Sequence, residues 1–168
     1  MIDKFHQISI RGRYLYCYLC LRNVIISKSL EEIPEFLSVI LKNYTATSRL
    51  DTWQDSIDEV RPSIILNKEN DPKHYTLISY EQVLDLRRYY SKNELVKDVI
   101  ENLIWLGIST LYVGFNSNTT FEYVEDVIGL MNAYKIDLPN FSIISSYSVN
   151  ERGGWGNFID IDALLLNN

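Results

Sequence analysis

The chain has 168 residues, of which 46% are hydrophobic and 23% charged, and its formal net charge is −6. This composition is that of a globular chain with a packed core, so we expect one domain over residues 1–168 that folds without a disulfide or a metal. The negative charge argues against direct binding to DNA or RNA, because nucleic-acid binders present a basic face to the phosphates.

The N-terminal segment argues against a secretory signal, and the longest apolar run argues against a membrane-spanning helix. Asp3 and Lys4 interrupt the first ten residues, whereas a secretory signal has a basic start and a continuous apolar stretch. The apolar run Tyr14–Leu21 is shorter than the roughly 20 residues that cross a bilayer. We therefore expect a cytoplasmic protein with no membrane partner.

The first predicted element begins after Gly12. Its apolar residues are Tyr14, Leu15, Tyr18, Leu19, Leu21, Val24 and Ile25. They occupy nearly every side of a helix, and a helix that is apolar all round is buried at the centre of a fold. The alternative is the second strand of a hairpin turning at Arg11-Gly12, because Tyr, Ile and Val also favour strands. We predict the helix.

Three residue pairs match the capping box, in which a Ser or Thr hydroxyl accepts a hydrogen bond from the third helical amide. They are Ser29 with Glu32, Ser79 with Gln82, and Thr119 with Glu122. Apolar residues at three- and four-residue intervals follow each pair, which is the spacing of one helix face. The sequence therefore predicts helices that start at all three places.

Two further segments have helical spacing. In the first, Trp53, Ile57 and Val60 form an apolar stripe that Pro62 ends. The second begins after Asn93, a candidate N-cap, and we expect it to end at Gly107. The residues predicted to face inward in the second helix are Leu95, Val96, Val99, Ile100, Leu103 and Ile104. Between the two helices, the turn signals in residues 63–79 predict the longest loop.

The C-terminal residues 141–168 are less regular. They contain a Ser-rich alternation that permits a small hairpin, followed by Gly153-Gly154-Trp155-Gly156. Because Trp is highly buried on average, we favour Trp155 as a core residue over an exposed anchor. The predicted fold is thus all-α or predominantly so, a single compact domain with a possible small β-hairpin near the C-terminus.

The residues that usually carry catalysis or bind metals are few. Cys17 and Cys20 have CxxC spacing, but their Tyr and Leu neighbours place them in the most buried stretch, so we expect unmodified core thiols. A zinc site would require two more ligands, whereas His6 and His74 stand alone. The glycines at 153–156 match neither GxGxxG nor a P-loop. We predict no catalytic, cofactor-binding or metal-binding residue, and no cofactor.

Five segments together suggest a family. They are Tyr14–Leu21, Leu50–Trp53, Leu106–Ile108 leading to Leu111–Tyr112, Ile136–Pro139 and Gly153–Phe158. With them, the chain resembles the small acidic helical immunity proteins that bacteria encode beside polymorphic or contact-dependent growth-inhibition toxins. This resemblance implies a non-enzymatic inhibitor that binds one cognate toxin domain, in many cases a nuclease, and blocks its active site. It transfers no binding residue to this sequence.

Two acidic helix faces are our candidates for contact with a basic toxin domain, because complementary charge accelerates association. The preferred face consists of Asp51, Asp55, Asp58 and Glu59, and the second consists of Glu122, Glu125 and Asp126. Two alternatives to an immunity protein stay open. The chain could be a helical enzyme whose site includes His74 and a carboxylate from another element, or an interaction module that binds no toxin.

Overall fold

A computed structural model describes residues 2–112 and 118–166, and the all-α prediction is confirmed there. The helices are α1 (Ile10–Ser27), α2 (Glu35–Ala46), α3 (Leu50–Val60), α4 (Pro62–Ile65), α5 (Tyr80–Lys92), α6 (Glu94–Tyr112), α7 (Asn118–Ala133) and α8 (Ile161–Leu166). Short 3-10 turns occupy Ile2–Gln7, Pro72–His74, Phe141–Ile143 and Glu151–Gly154. Within the described ranges the β-structure is limited to an isolated bridge between Ile8 and Ser148.

Helix α1 lies at the centre, packed against α6, α7 and α2. The predicted helix is confirmed and the hairpin alternative is wrong, but the helix begins at Ile10 and not after Gly12. Ser9 caps it by accepting a hydrogen bond from the amide of Gly12. Its first turn also buries Arg13, which donates to the carbonyl of Phe5 and to the Thr120 hydroxyl. Burial lowers the pKa of Arg13 to about 10. None of the described helices is long and apolar enough to cross a membrane.

The predicted helix start at Ser29 is wrong. Ser29 has a φ of 49°, and its amide donates to the carbonyl of Ile26, while the amide of Leu30 donates to Ile25. This pair of bonds is the Schellman motif that ends a helix, so Ser29 belongs to the end of α1. Helix α2 begins six residues later, at Glu35.

The other two capping boxes have different outcomes. Ser79 and Gln82 form the complete reciprocal box at the start of α5, as predicted, with bonds of 3.2 and 2.8 Å. Thr119, by contrast, lies inside α7, which already includes Asn118. Asn93 precedes α6, but its side chain donates back to the carbonyl of Tyr89 in α5 instead of capping α6.

Gly107 does not end α6, which continues to Tyr112. Its missing side chain instead admits the indole of Trp53, since a Cβ on Gly107 would lie 2.5 Å from the indole Cη2. Trp53 packs edge-on against Tyr44, whose ring stacks on Tyr14 at 4.2 Å between centroids. The predicted C-terminal boundary of α6 was wrong because Gly107 makes room for the side chain of Trp53 and does not end the helix.

Residues 141–160 form turns and loops, so the possible C-terminal hairpin is also a wrong prediction. The loop is fixed by Arg11, whose guanidinium donates to the carbonyls of Gly156 and Thr47, both at 3.0 Å. The guanidiniums of Arg11 and Arg152 both lie over the Phe158 ring, 4.6 and 4.3 Å from its centroid. Trp155 is partly buried and packs against the core.

Candidate functional site

The acidic face predicted on α3 is unevenly available to a partner. Asp55 is exposed, and Asp58 is half-buried. Asp51 is exposed but forms an ion pair with Arg49 at 3.0 Å. The hydrogen bond from Arg49 lowers the pKa of the Asp51 carboxyl. The charge of Asp51 is therefore partly neutralised by its neighbour.

Glu59, the last acid of this face, holds the loop that precedes α5. Its carboxylate accepts hydrogen bonds from the hydroxyl of Thr76 at 2.7 Å and from the amides of Thr76, Leu77 and Ile78 at 2.7–3.2 Å. Partial burial of Glu59 raises its pKa, but these hydrogen bonds outweigh that effect, and the net pKa lies below the ordinary value. Glu59 therefore has a structural role that its spacing on α3 did not reveal.

The surroundings of His74 bear on the enzyme alternative. A depression of about 350 Å³ is lined by Asp58, Glu59, Arg61, Ile64, Glu69, Asn70, Asp71, His74 and Tyr75. His74 is exposed, and within the described part of the chain its imidazole makes no hydrogen bond to an orienting group. Arg61 lies over the Trp105 ring at 4.7 Å. Among the described residues that line the depression, there is no serine, threonine or cysteine that His74 could activate.

The two cysteines lie in the core, as predicted. Both are free thiols on α1 with no exposed surface. Burial raises the pKa of both Cys17 and Cys20, which keeps them as thiols and lowers their nucleophilicity. Across residues 2–112 and 118–166, no three or more His, Cys, Asp or Glu side chains are grouped so that they could hold a metal ion.

The second acidic face lies on α7 and is more available than the first. Glu122, Glu125 and Asp126 are all exposed, and no ion pair within the described ranges involves any of them. Burial, followed by the charges of Glu122 and Asp126, raises the pKa of neighbouring Tyr123. We call Glu122, Glu125, Asp126 and Gly129 the α7 face.

Gly129 continues the α7 face by one helical turn. It is exposed, and a Cβ added there would meet no atom within 4 Å. A glycine inside a helix costs about 0.5–1 kcal/mol relative to alanine. Within the described chain, no close packing offsets that cost, unlike at Gly107.

A groove that the sequence analysis missed lies between the start of α2 and the start of α5. Its lining is mainly apolar and consists of Pro34, Glu35, Phe36, Val39, Ile40, Leu77, Ile78, Gln82 and Asp85. Val39 and Leu77 are 57% and 56% exposed. Val39 carried a usable signal, because it is an apolar residue that lies off the buried side of α2 formed by Leu37, Leu41 and Tyr44, whereas Leu77 in a predicted loop gave none.

The chain was also compared with known proteins. No family model, no curated protein and no solved structure matches it.

Proposed function

We propose that this chain is an immunity-type inhibitor that binds a basic toxin domain of the nuclease class through the α7 face. The single observation that carries the proposal is the row of exposed carboxylates at Glu122, Glu125 and Asp126, for which the described chain provides no cation. A surface that cleaves nucleic acid must be basic to hold phosphates, so carboxylates at this spacing are complementary to it.

The spacing of these acids also matters. Like charges at i and i+4, such as Glu122 and Asp126, destabilise an isolated helix by a few tenths of a kcal/mol, roughly 0.2–0.5. A cationic partner removes this repulsion and gains from the negative potential, which mainly increases the rate of association. The α7 face is therefore preferred over the α3 face, where Arg49 pairs with Asp51 and the loop occupies Glu59.

Gly129 supports the same surface independently of charge. A missing side chain on the exposed side of a helix allows the backbone of another molecule to approach closely. We infer that a toxin segment packs over Gly129, with its cationic side chains directed toward Glu125 and Asp126.

The test uses the toxin domain encoded by the neighbouring gene. Glu122→Gln with Glu125→Gln should slow association severalfold at low salt, and the difference should shrink at moderate salt because exposed charges are screened. The matched control removes two other exposed carboxylates, Glu69 and Glu94, by the same Glu→Gln change. Circular dichroism of all variants verifies the fold.

A steric variant tests the surface without changing its charge. Gly129→Trp should abolish protection of cells from the toxin, whereas Ser91→Trp, on the exposed side of α5, should leave it intact. His74→Ala should also leave protection intact, since the proposal requires no catalysis. Unchanged affinity and salt dependence in the α7 variants would exclude this face, and a neighbouring toxin that does not bind would reject the immunity function.

A further inference from the structure

The groove between α2 and α5 is a mainly apolar surface that no segment within residues 2–112 and 118–166 covers. Phe36, Val39 and Ile40 form its α2 side, and Leu77 and Ile78 form its loop side, around a volume of about 580 Å³. Val39 and Leu77 are exposed, Phe36 and Ile40 are partly buried, and Ile78 is buried. Two large apolar side chains that are exposed at one groove can contact a partner together.

The loop side of the groove is held in place from beneath. Glu59 accepts hydrogen bonds from three successive amides, those of Thr76, Leu77 and Ile78. These bonds fix the backbone at Leu77 while its side chain remains 56% exposed. An apolar side chain presented on an ordered backbone loses little further conformational freedom when a partner binds.

The two charged residues that line the groove, Glu35 and Asp85, are both carboxylates. Residues 31–40 and 77–88 contain five carboxylates and two guanidiniums, namely Glu31, Glu32, Glu35, Glu81 and Asp85 with Arg87 and Arg88. Arg88 pairs with Glu31 and Asp85, and Arg87 donates to the carbonyls of Ile65 and Asn70. Glu35, which lines the groove, has no ion-pair partner among the described residues.

The backbone chemistry of the groove decides the conformation of its occupant. The amides of residues 76–78 are already bonded to Glu59 and the start of α5 is capped by Ser79, so among the described residues the backbone donors left at the groove are the first-turn amides of α2, which has no side-chain cap. An extended peptide would therefore bury most of its peptide groups without hydrogen-bond partners, which is costly. A helix satisfies its own backbone groups and contributes only side chains.

We propose that this groove binds an amphipathic, cationic α-helix of a partner protein. The apolar stripe of that helix packs against Phe36, Val39 and Leu77, and a Lys or Arg residue beside the stripe pairs with Glu35. This surface includes no residue of the α7 face, so the proposal stands or fails separately from the proposed toxin contact.

The probe is a fluorescently labelled synthetic helix of about 18 residues, or about five turns, with a leucine stripe at helical spacing and lysine elsewhere. Two further peptides serve as references. One has the same composition in scrambled order, and the other replaces each lysine with glutamate. Fluorescence anisotropy measures the dissociation constant of each peptide with the full chain.

Three protein variants locate the binding surface. Leu77→Asp and Val39→Asp change the groove, while the control Ile26→Asp changes an apolar side chain of α1 that is 63% exposed and outside the groove. Because all three side chains are exposed, the variants should fold, and circular dichroism verifies this. Each variant adds the same negative charge, so a difference among them cannot come from net charge.

We expect the cationic helix to bind at least tenfold more tightly than either reference peptide. Leu77→Asp and Val39→Asp should each weaken it at least tenfold, and Ile26→Asp should leave its dissociation constant within twofold of wild type. Equal binding of the scrambled or acidic peptide would overturn the proposal, and so would wild-type affinity in both groove variants. The proposal would also be overturned if Ile26→Asp weakened binding of the cationic helix as much as the groove variants do.

Discussion

The same substitution, Gly→Ala, is expected to have opposite effects in α6 and α7. At Gly107 the new methyl group would lie 2.5 Å from the Cη2 atom of Trp53 and 3.2 Å from the Cε2 atom of Tyr44. Neither ring moves easily, because the Trp53 indole donates to the carbonyl of Ile40 at 3.0 Å and the Tyr44 hydroxyl bonds to Thr110. At Gly129 the methyl group would enter open space.

The magnitudes follow from two contributions. Alanine is favoured over glycine within a helix by about 1 kcal/mol, and this gain applies at both positions. Overpacking a well-filled core costs about 1–3 kcal/mol, and this cost applies only at Gly107. We therefore expect Gly129→Ala to stabilise the chain by about 1 kcal/mol and Gly107→Ala to destabilise it by up to about 2 kcal/mol.

Urea denaturation followed by circular dichroism at 222 nm measures both free energies of unfolding. A change in tryptophan emission, to which Trp53 contributes together with Trp105 and Trp155, reports repacking at Gly107. The free energies of unfolding of the two variants should differ by about 1–3 kcal/mol, because the higher helix propensity of alanine contributes equally to both. If the Gly107→Ala variant were as stable as the Gly129→Ala variant and its tryptophan emission were unchanged, close packing against Trp53 would not be the reason for glycine at position 107.

Three other predictions concern Glu59, which holds the loop before α5, the Ser79 cap of α5, and the two buried thiols. Glu59→Gln should destabilise the chain by about 1 kcal/mol at neutral pH, as solvent screens part of the interaction. The pKa of Glu59 is lower in the folded chain than its ordinary value. The carboxylate therefore stabilises the fold at a pH above the ordinary carboxyl pKa, and this stabilisation is lost as the pH falls through the folded pKa. The free energies of unfolding of wild type and variant should thus converge as the pH is lowered. Ser79→Ala removes a bond of the α5 capping box and should cost about 1 kcal/mol in thermal or urea unfolding, and no loss would contradict the role of the cap. Cys17 and Cys20 should react with a thiol reagent only at the rate of unfolding, and rapid labelling of the native chain would contradict their burial.

Much of the helical architecture could be predicted because the controlling interactions are local. The box at Ser79 joins residues three positions apart, and the stripes at Trp53, Ile57 and Val60 record which helix side is buried. The failure at Ser29 has a local cause as well. Its side chain suits an N-cap, but its backbone takes the left-handed conformation that ends α1, a position where glycine is the usual signal.

The surfaces available to a partner could be predicted only in part. The spacing of Glu122, Glu125 and Asp126 indicated a shared exposed face, and all three are exposed. The spacing of Asp51, Asp55, Asp58 and Glu59 is similar, yet it did not reveal that Glu59 holds a distant loop. Helical periodicity tells which side of a helix faces outward, but it cannot tell which outward side chains meet another segment.

By itself, the sequence determined the helical class, the burial of α1 and the cap of α5, because periodicity and capping depend on residues within four positions of one another. Only the tertiary structure decided that Gly107 makes room for Trp53, that Glu59 bonds to the amide of Leu77, and that Val39 and Leu77 border a groove. Those contacts join residues far apart in the chain, and their partners are set by how the helices pack.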